Sequence, residues 1–146
     1  MISVEVRAEE AQRRLNKLAQ QLENRRPVNK LLSTKLFAMV MENFDREGHE
    51  GVPWADLAPS TWRWKRKRGY DKILQNTGAL RQSFLPFSDN DSAGVGALSI
   101  REHADISAKH EEGIGVPKRK MLPSNAKALE QAVVIYGAFI QRAAAP

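Results

Sequence analysis

The side chains able to do chemistry are few. They are His49, His103 and His110, with Glu102, Glu111 and Glu112 close to the last two in sequence. Histidines beside carboxylates suit metal binding or proton transfer, but no HExxH or comparable ligand spacing occurs. Residues 104–110 read as a short strand, which would turn His103 and His110 to opposite faces. Ser60, Ser83 and Ser107 lie in no G-x-S-x-G elbow. Gly94-x-Gly96 lacks the third glycine and the strand-to-helix setting of a dinucleotide loop, so it reads as a strand feature. The paired carboxylates Glu9-Glu10 and Glu111-Glu112 are sequence neighbours that point apart on regular elements. With no cysteine in the chain, disulfides, thiolate zinc sites and cysteine nucleophiles are excluded. The reading is a protein that is not an enzyme and needs no metal or cofactor.

Charge is the stronger signal. The formal net charge is +6, and the excess is concentrated. Arg63, Lys65, Arg66, Lys67, Arg68 and Lys72 face a single acid, Asp71, and Lys118-Arg119-Lys120 contains none. Such runs favour polyanions: DNA, RNA or an acidic protein surface. A solvated face is the plainer reading of a charge run. Trp62 and Trp64 interleave with the first run and suggest base stacking. Two residues apart on a helix, however, they splay by about 200°, so at least one faces the core.

The elements that position these residues form one α+β domain over residues 1–146, long enough at 42% apolar and 27% charged to bury a core. Ile2, Val4 and Val6 alternate with polar residues as a short half-buried strand. Residues 9–23 carry Ala11, Leu15, Leu18, Ala19 and Leu22 at helical spacing. After Pro27 a second helix over residues 28–46 has the stripe Val28, Leu32, Leu36, Phe37, Val40, Met41 and Phe44. Core packing accounts for both helices. Residues 45–51 read as a mobile surface loop closing this N-terminal part.

Residues 51–83 hold all three tryptophans. They divide into a Gly-Pro-Trp loop, a short helix opened by Ser60 or Thr61 and ending at Gly69, and a turn at Thr77-Gly78 leading into a helical turn. Residues 84–87 and 93–100, joined by an Asx-type turn at 88–92, form an antiparallel hairpin. Residues 111–120 read as a long flexible arm. Ser124 caps a final segment read as a helix, with a strand left open by the β-branched Val133, Val134 and Ile135; in it Ala132 to Ile140 is apolar except at Gly137, too much for one face of a small domain. Val134, Ile135 and Phe139 are the candidate subunit interface. The expected architecture is two N-terminal helices and a C-terminal helix packed on a small, mainly antiparallel sheet, with projecting loops. No apolar run is long enough for a membrane span and no signal peptide is evident, which points to a cytoplasmic protein without membrane contact.

The order of residues in the middle segment resembles a known family. Pro53, Trp54, Leu57, Thr61, Lys65, Lys72, Ile73, Leu74, Thr77, Gly78, Leu80, Arg81 and Ser83 follow the pattern of the phage virion morphogenesis family, the tail-completion proteins of Mu-like and P2-like tailed phages. His110, Gly113, Pro117, Arg119 and Leu122 extend the match. Glu111-Glu112, Lys120, Met121 and Pro123 depart from it.

The resemblance implies a structural tail-completion or neck protein that forms a ring, expected to be a hexamer, at the head-proximal end of the tail. It would mediate head-tail joining in the virion after assembly in the host cytoplasm. Its partners would be other copies of itself, the tail tube or tail terminator, and the head-side connector. Arg63, Lys65, Arg66, Lys67, Arg68, Lys118, Arg119 and Lys120 are candidates for contact with packaged DNA or a partner. The alternative is a nucleic-acid-binding module built on Trp62–Arg68, although no known nucleic-acid-binding signature accompanies it.

Overall fold

The structure, a computed structural model, describes residues 8–98 and 103–145. The strand expected at Ile2–Val6 and the end of the one expected at 93–100 lie outside those residues. Among the described residues, six helices accompany two separate two-stranded antiparallel sheets, an α+β architecture.

The helix α1 spans Ala8–Glu23 and α2 spans Arg26–Arg46. Pro27 sits in the first turn of α2, where its missing N–H loses no helical bond. Val28, Leu32, Leu36, Val40 and Phe44 of α2 are buried as their spacing predicts, and Phe37 and Met41 pack beside them. The outcome differs for α1. It buries no residue, and Leu15 is 60% exposed, so core packing does not account for its apolar stripe.

The expected loop over 45–51 is instead an ordered hairpin of β1 (Gly48–His49) and β2 (Val52–Pro53). Glu47 and Glu50, at φ 50° and 49°, and Gly51, at φ 85°, turn the chain sharply. Gly48 is required here, because a Cβ would lie 2.8 Å from the Val52 carbonyl oxygen.

The short helix α3 spans Pro59–Arg66 and opens from Ala58, with no side-chain cap from Ser60 or Thr61. Proline's fixed φ, set for the first helical turn, takes the place of the expected hydroxyl cap. After Gly78, at φ 77°, comes α4 (Ala79–Ser83), and Thr77 Oγ1 accepts from Ala79 N at 3.4 Å.

The expected second hairpin forms from β3 (Phe84–Ser88) and β4 (Ala93–Ala97). Asp89 N donates to the Ser92 carbonyl at 3.0 Å and Leu98 N to the Ser83 carbonyl at 2.8 Å. Given the register, Leu85–Gly96 and Phe87–Gly94 are therefore the hydrogen-bonded pairs. Pro86 falls opposite Val95 in a non-hydrogen-bonded pair, where the absent N–H leaves the ladder intact.

The strand expected at 104–110 is a helix, α5 (His103–Glu112). Its alanines and lysine favour helix, and Asp105 pairs with Lys109 one turn on at 2.8 Å. The period-two argument that separated His103 from His110 therefore does not apply. The last helix, α6, spans Asn125–Ala144, and the Ser124 hydroxyl accepts from Lys127 N at 3.3 Å as expected of a cap.

The core collects where the C-terminal half of α2 meets the central motif. Val40, Phe44, Trp54, Ile73, Leu80, Phe84 and Met121 bury one another. The Phe44 ring meets Trp54 edge-on at 5.5 Å and Phe84 at 5.8 Å. On another side α2 packs on α6. There Asn29 accepts from the Tyr136 hydroxyl while donating to the Asp89 carbonyl at 2.9 Å, which ties α6 to the hairpin turn.

Candidate functional site

The central motif is first of all a framework. Trp54 leaves β2 with its ring in the core, and its indole N–H donates to the Lys120 carbonyl at 2.8 Å. The segment Lys72-Ile73-Leu74-Gln75 is a tight turn with Leu74 at φ 57°. Glu47 accepts from Ile73 N, and the Gln75 amide donates to the last-turn carbonyl of Phe44 at 2.9 Å. Arg81 bridges Gln75 at 3.3 Å and Asp45 at 2.7 Å. The Ser83 hydroxyl closes α4 onto the Leu80 carbonyl at 2.7 Å. Leu57 packs against the core, Thr61 is exposed and Lys72 is half-buried.

The downstream segment is not a long flexible arm. From Gly113, at φ 77°, it doubles back on α5, with Arg119 N donating to the His110 carbonyl at 2.8 Å. The His110 imidazole reaches the Pro117 carbonyl from Nδ1 at 3.4 Å. The Glu111 carboxylate accepts from Met121 N and, at 2.6 Å, from Leu122 N. Asn43 donates to the Met121 carbonyl and His49 Nε2 to the Leu122 carbonyl, both at 2.9 Å. Glu50 accepts from Ser124 N at 2.9 Å, and hydrogen bonding to the Ser124 side chain, then to its backbone N–H, holds the Glu50 carboxyl below the usual range. Most backbone groups from 119 to 124 thus have a named partner. Glu111, one of the departures from the family pattern, is a main tether.

The basic segment divides into buried and exposed members. Lys65 is only 3% exposed, with its ammonium bonded to Asn76 and 5.7 Å above the Tyr70 ring. Burial lowers its basicity, with Glu47 and Asp71 opposing. Arg119, also 3% exposed, donates from Nε to the Ala55 carbonyl at 2.8 Å and from NH2 to the Asp56 carbonyl at 3.1 Å. Both are removed from an exposed cationic surface, because each is occupied in fixing the fold.

Arg63, Arg66, Lys67, Arg68, Lys118 and Lys120 remain exposed. Arg68 lies 4.3 Å over Trp64 and Arg66 lies 5.6 Å over Trp62. Trp62 is half-buried against the core, as its spacing from Trp64 requires, and donates to Asp56 Oδ1 at 2.7 Å. That bond is the main reason the Asp56 carboxyl sits low. Each indole has one guanidinium over it, so the arrangement sets cations beside both rings.

The candidate interface residues lie together. Ile135 and Phe139 are half-buried and Val134 is 63% exposed, and with Val28, Leu31 and Ala138 they line an apolar groove of about 220 Å³ between α2 and α6. No group of His, Asp and Glu among the described residues is arranged to hold a metal ion.

Histidine 110 sets a pH dependence. Burial pushes its pKa below the ordinary 6.5, so on acidification the unfolded chain binds the proton first. Its contribution to stability is complete above pH 6.5 and is lost as pH falls through that value toward the folded pKa. His110→Gln should flatten the denaturation midpoint between pH 7 and about pH 5.5. An unaltered profile in that variant would remove His110 as the cause. Glu50 and Asp56, both held low, add a second loss that begins only below their ordinary values of 4.5 and 3.8.

The tethering roles of Asn43, Glu47, Glu50, Gln75 and Glu111 were not read from the sequence, where Glu111 stood only as a carboxylate near the histidines and a departure from the family pattern, and no local pattern marks them. Their partners lie 10 to 78 residues away.

No curated protein and no solved structure matches the chain. The phage virion morphogenesis family matches it over residues 6–134, from before α1 into the middle of α6 and across the whole Trp54–Leu122 framework. This chain belongs to the phage virion morphogenesis family, and its role is that of a phage structural protein.

Proposed function

We propose that the protein is a tail-completion or neck component that assembles with other copies of itself into a ring, a hexamer by family expectation, at the head-proximal end of the tail and joins tail to head. The observation that carries this reading is the surface of α6. This 20-residue helix buries no side chain completely, and Leu129, Val133 and Val134 are each more than 60% exposed. Apolar exposure on that scale, beside the exposed Leu15 of α1, is what an unassembled subunit presents. A head-to-tail contact between two different patches closes into a ring when the rotation between copies permits.

Native mass measurement tests the reading. The protein is expected as a closed multiple of 16.4 kDa, alone or on isolated tails. Val134→Asp, which places a charge on an exposed site, should return it to single chains with unchanged circular dichroism. Association that survives this change would move the interface away from α6.

One observation favours contact with nucleic acid as a second reading. Arg63, Arg66, Lys67 and Arg68 form no ion pair among the described residues, so their charge is available. Duplex DNA binding by these four would weaken with salt at a log-log slope of about −3 to −4. Reversing all four charges should abolish it, while Lys65 must be left alone because it is part of the fold. A slope near zero in fluorescence anisotropy rejects this reading and leaves the ridge to an acidic protein partner.

A further inference from the structure

The groove between α2 and α6 is lined almost wholly by apolar side chains. Val28 and Leu31 of α2 and Val134, Ile135, Ala138 and Phe139 of α6 enclose about 220 Å³. Arg142 is the one charged residue along it among the described residues, and its side chain is exposed and forms no ion pair there. A slot of this make-up accepts an aliphatic anchor, with a carboxylate at the Arg142 end.

The same chain presents such an anchor elsewhere. Gly113 and Gly115, at φ 77° and 70°, bracket Ile114, whose side chain is 57% exposed. The loop that carries it is fixed to the end of α5. The N–H groups of Gly113 and Ile114 both donate to the Lys109 carbonyl, at 2.7 and 2.9 Å, and Arg119 N returns the chain to His110. Burying a side chain on a loop already held in place costs little ordering entropy. Glu112, two residues earlier, is exposed and forms no ion pair among the described residues. Two bulkier exposed side chains are already engaged: Phe87 lies against Gly94, where a Cβ would come within 2.4 Å of its ring, and Arg68 sits 4.3 Å over Trp64.

Loop and groove are separate patches. The groove uses the N-terminal end of α2, whereas the segment that follows the loop is tied to the other end, where Asn43 donates to the Met121 carbonyl at 2.9 Å. Leu31 and Asn43 are about 18 Å apart along the helix. We infer that Ile114 of one copy fills the α2–α6 groove of the next, with Glu112 pairing with Arg142 across the joint. This rests on the ring reading and names its contact. Because two different patches meet, the contact repeats head-to-tail, as a ring requires.

Native mass measurement of the full chain across a dilution series tests the joint. Ile114→Asp should return the protein to single 16.4 kDa chains with unchanged circular dichroism, since Ile114 is exposed in the single chain. Glu112→Arg and Arg142→Glu should each weaken association about five- to tenfold, and the two together should restore it. A symmetric contact between two α6 helices would respond to neither Ile114 nor Glu112. If Ile114→Asp disturbs the circular dichroism, the charge-reversal set decides alone. A closed oligomer that survives Ile114→Asp overturns the joint and leaves the ring standing. Weakening by the single reversals without recovery in the double variant overturns the choice of groove. Single chains throughout for the unaltered protein, on tails as well as in solution, overturn ring and joint together.

Discussion

Trp54→Ala is expected to lower the unfolding free energy by about 3–5 kcal/mol, the usual range for truncating a buried aromatic residue. The indole is buried, meets Phe44 edge-on at 5.5 Å and donates to the Lys120 carbonyl at 2.8 Å. Its removal therefore opens a cavity against α2 and unties the downstream segment in one step. Trp54→Phe separates the two effects. It keeps most of the apolar contact and loses the hydrogen bond, so it should cost about 1–3 kcal/mol, much of it from the unpaired carbonyl. The check is urea denaturation followed by far-UV circular dichroism, with the slope compared between variants. A Trp54→Ala loss below about 1 kcal/mol would mean that the framework closes without its tryptophan.

Arg119→Ala should cost about 3 kcal/mol, although the residue belongs to a basic run that reads as surface. The guanidinium spans the Ala55 and Asp56 carbonyls at 2.8 and 3.1 Å, and truncation leaves both without their donor. Arg119→Lys should recover little, since an ammonium cannot reproduce the planar fork that reaches two acceptors. The neighbours Lys118 and Lys120 provide the control. Both are exposed, and alanine there should change stability by less than about 0.5 kcal/mol. Equal effects at all three positions would refute the buried role of Arg119. If the fold depends on Arg119 as described, loss of head joining on its substitution would report unfolding and not contact with DNA.

These two residues show how far the sequence could be read. The stripe of α2, the Ser124 cap, the β3–β4 pairing and the partial burial of Trp62 were all legible, because each rests on a local period or a local hydrogen bond. The order of motif residues was legible as a family pattern. The roles of those residues were not. Lys65 and Arg119 look like their basic neighbours in sequence, and only the approach of Asn76 and of the 55–56 carbonyls makes them interior groups. The strand expected at 104–110 failed because its weak alternation competed with residues that favour helix. The mobile loop at 45–51 failed because Glu47 and Glu50, which read as solvated charges, are tethers for Ile73 and Ser124.

The sequence by itself determined an α+β chain without thiol chemistry, with a strong central helix, a concentrated positive charge and an apolar C-terminal helix. These follow from composition and from periods of two and 3.6 residues, properties of short stretches. Only the tertiary structure decided which charges are buried, which glutamates hold backbone N–H groups, and that α1 and α6 keep apolar side chains outward. Each of these depends on groups far apart in the chain meeting within hydrogen-bond or van der Waals reach, and a linear pattern does not encode that distance.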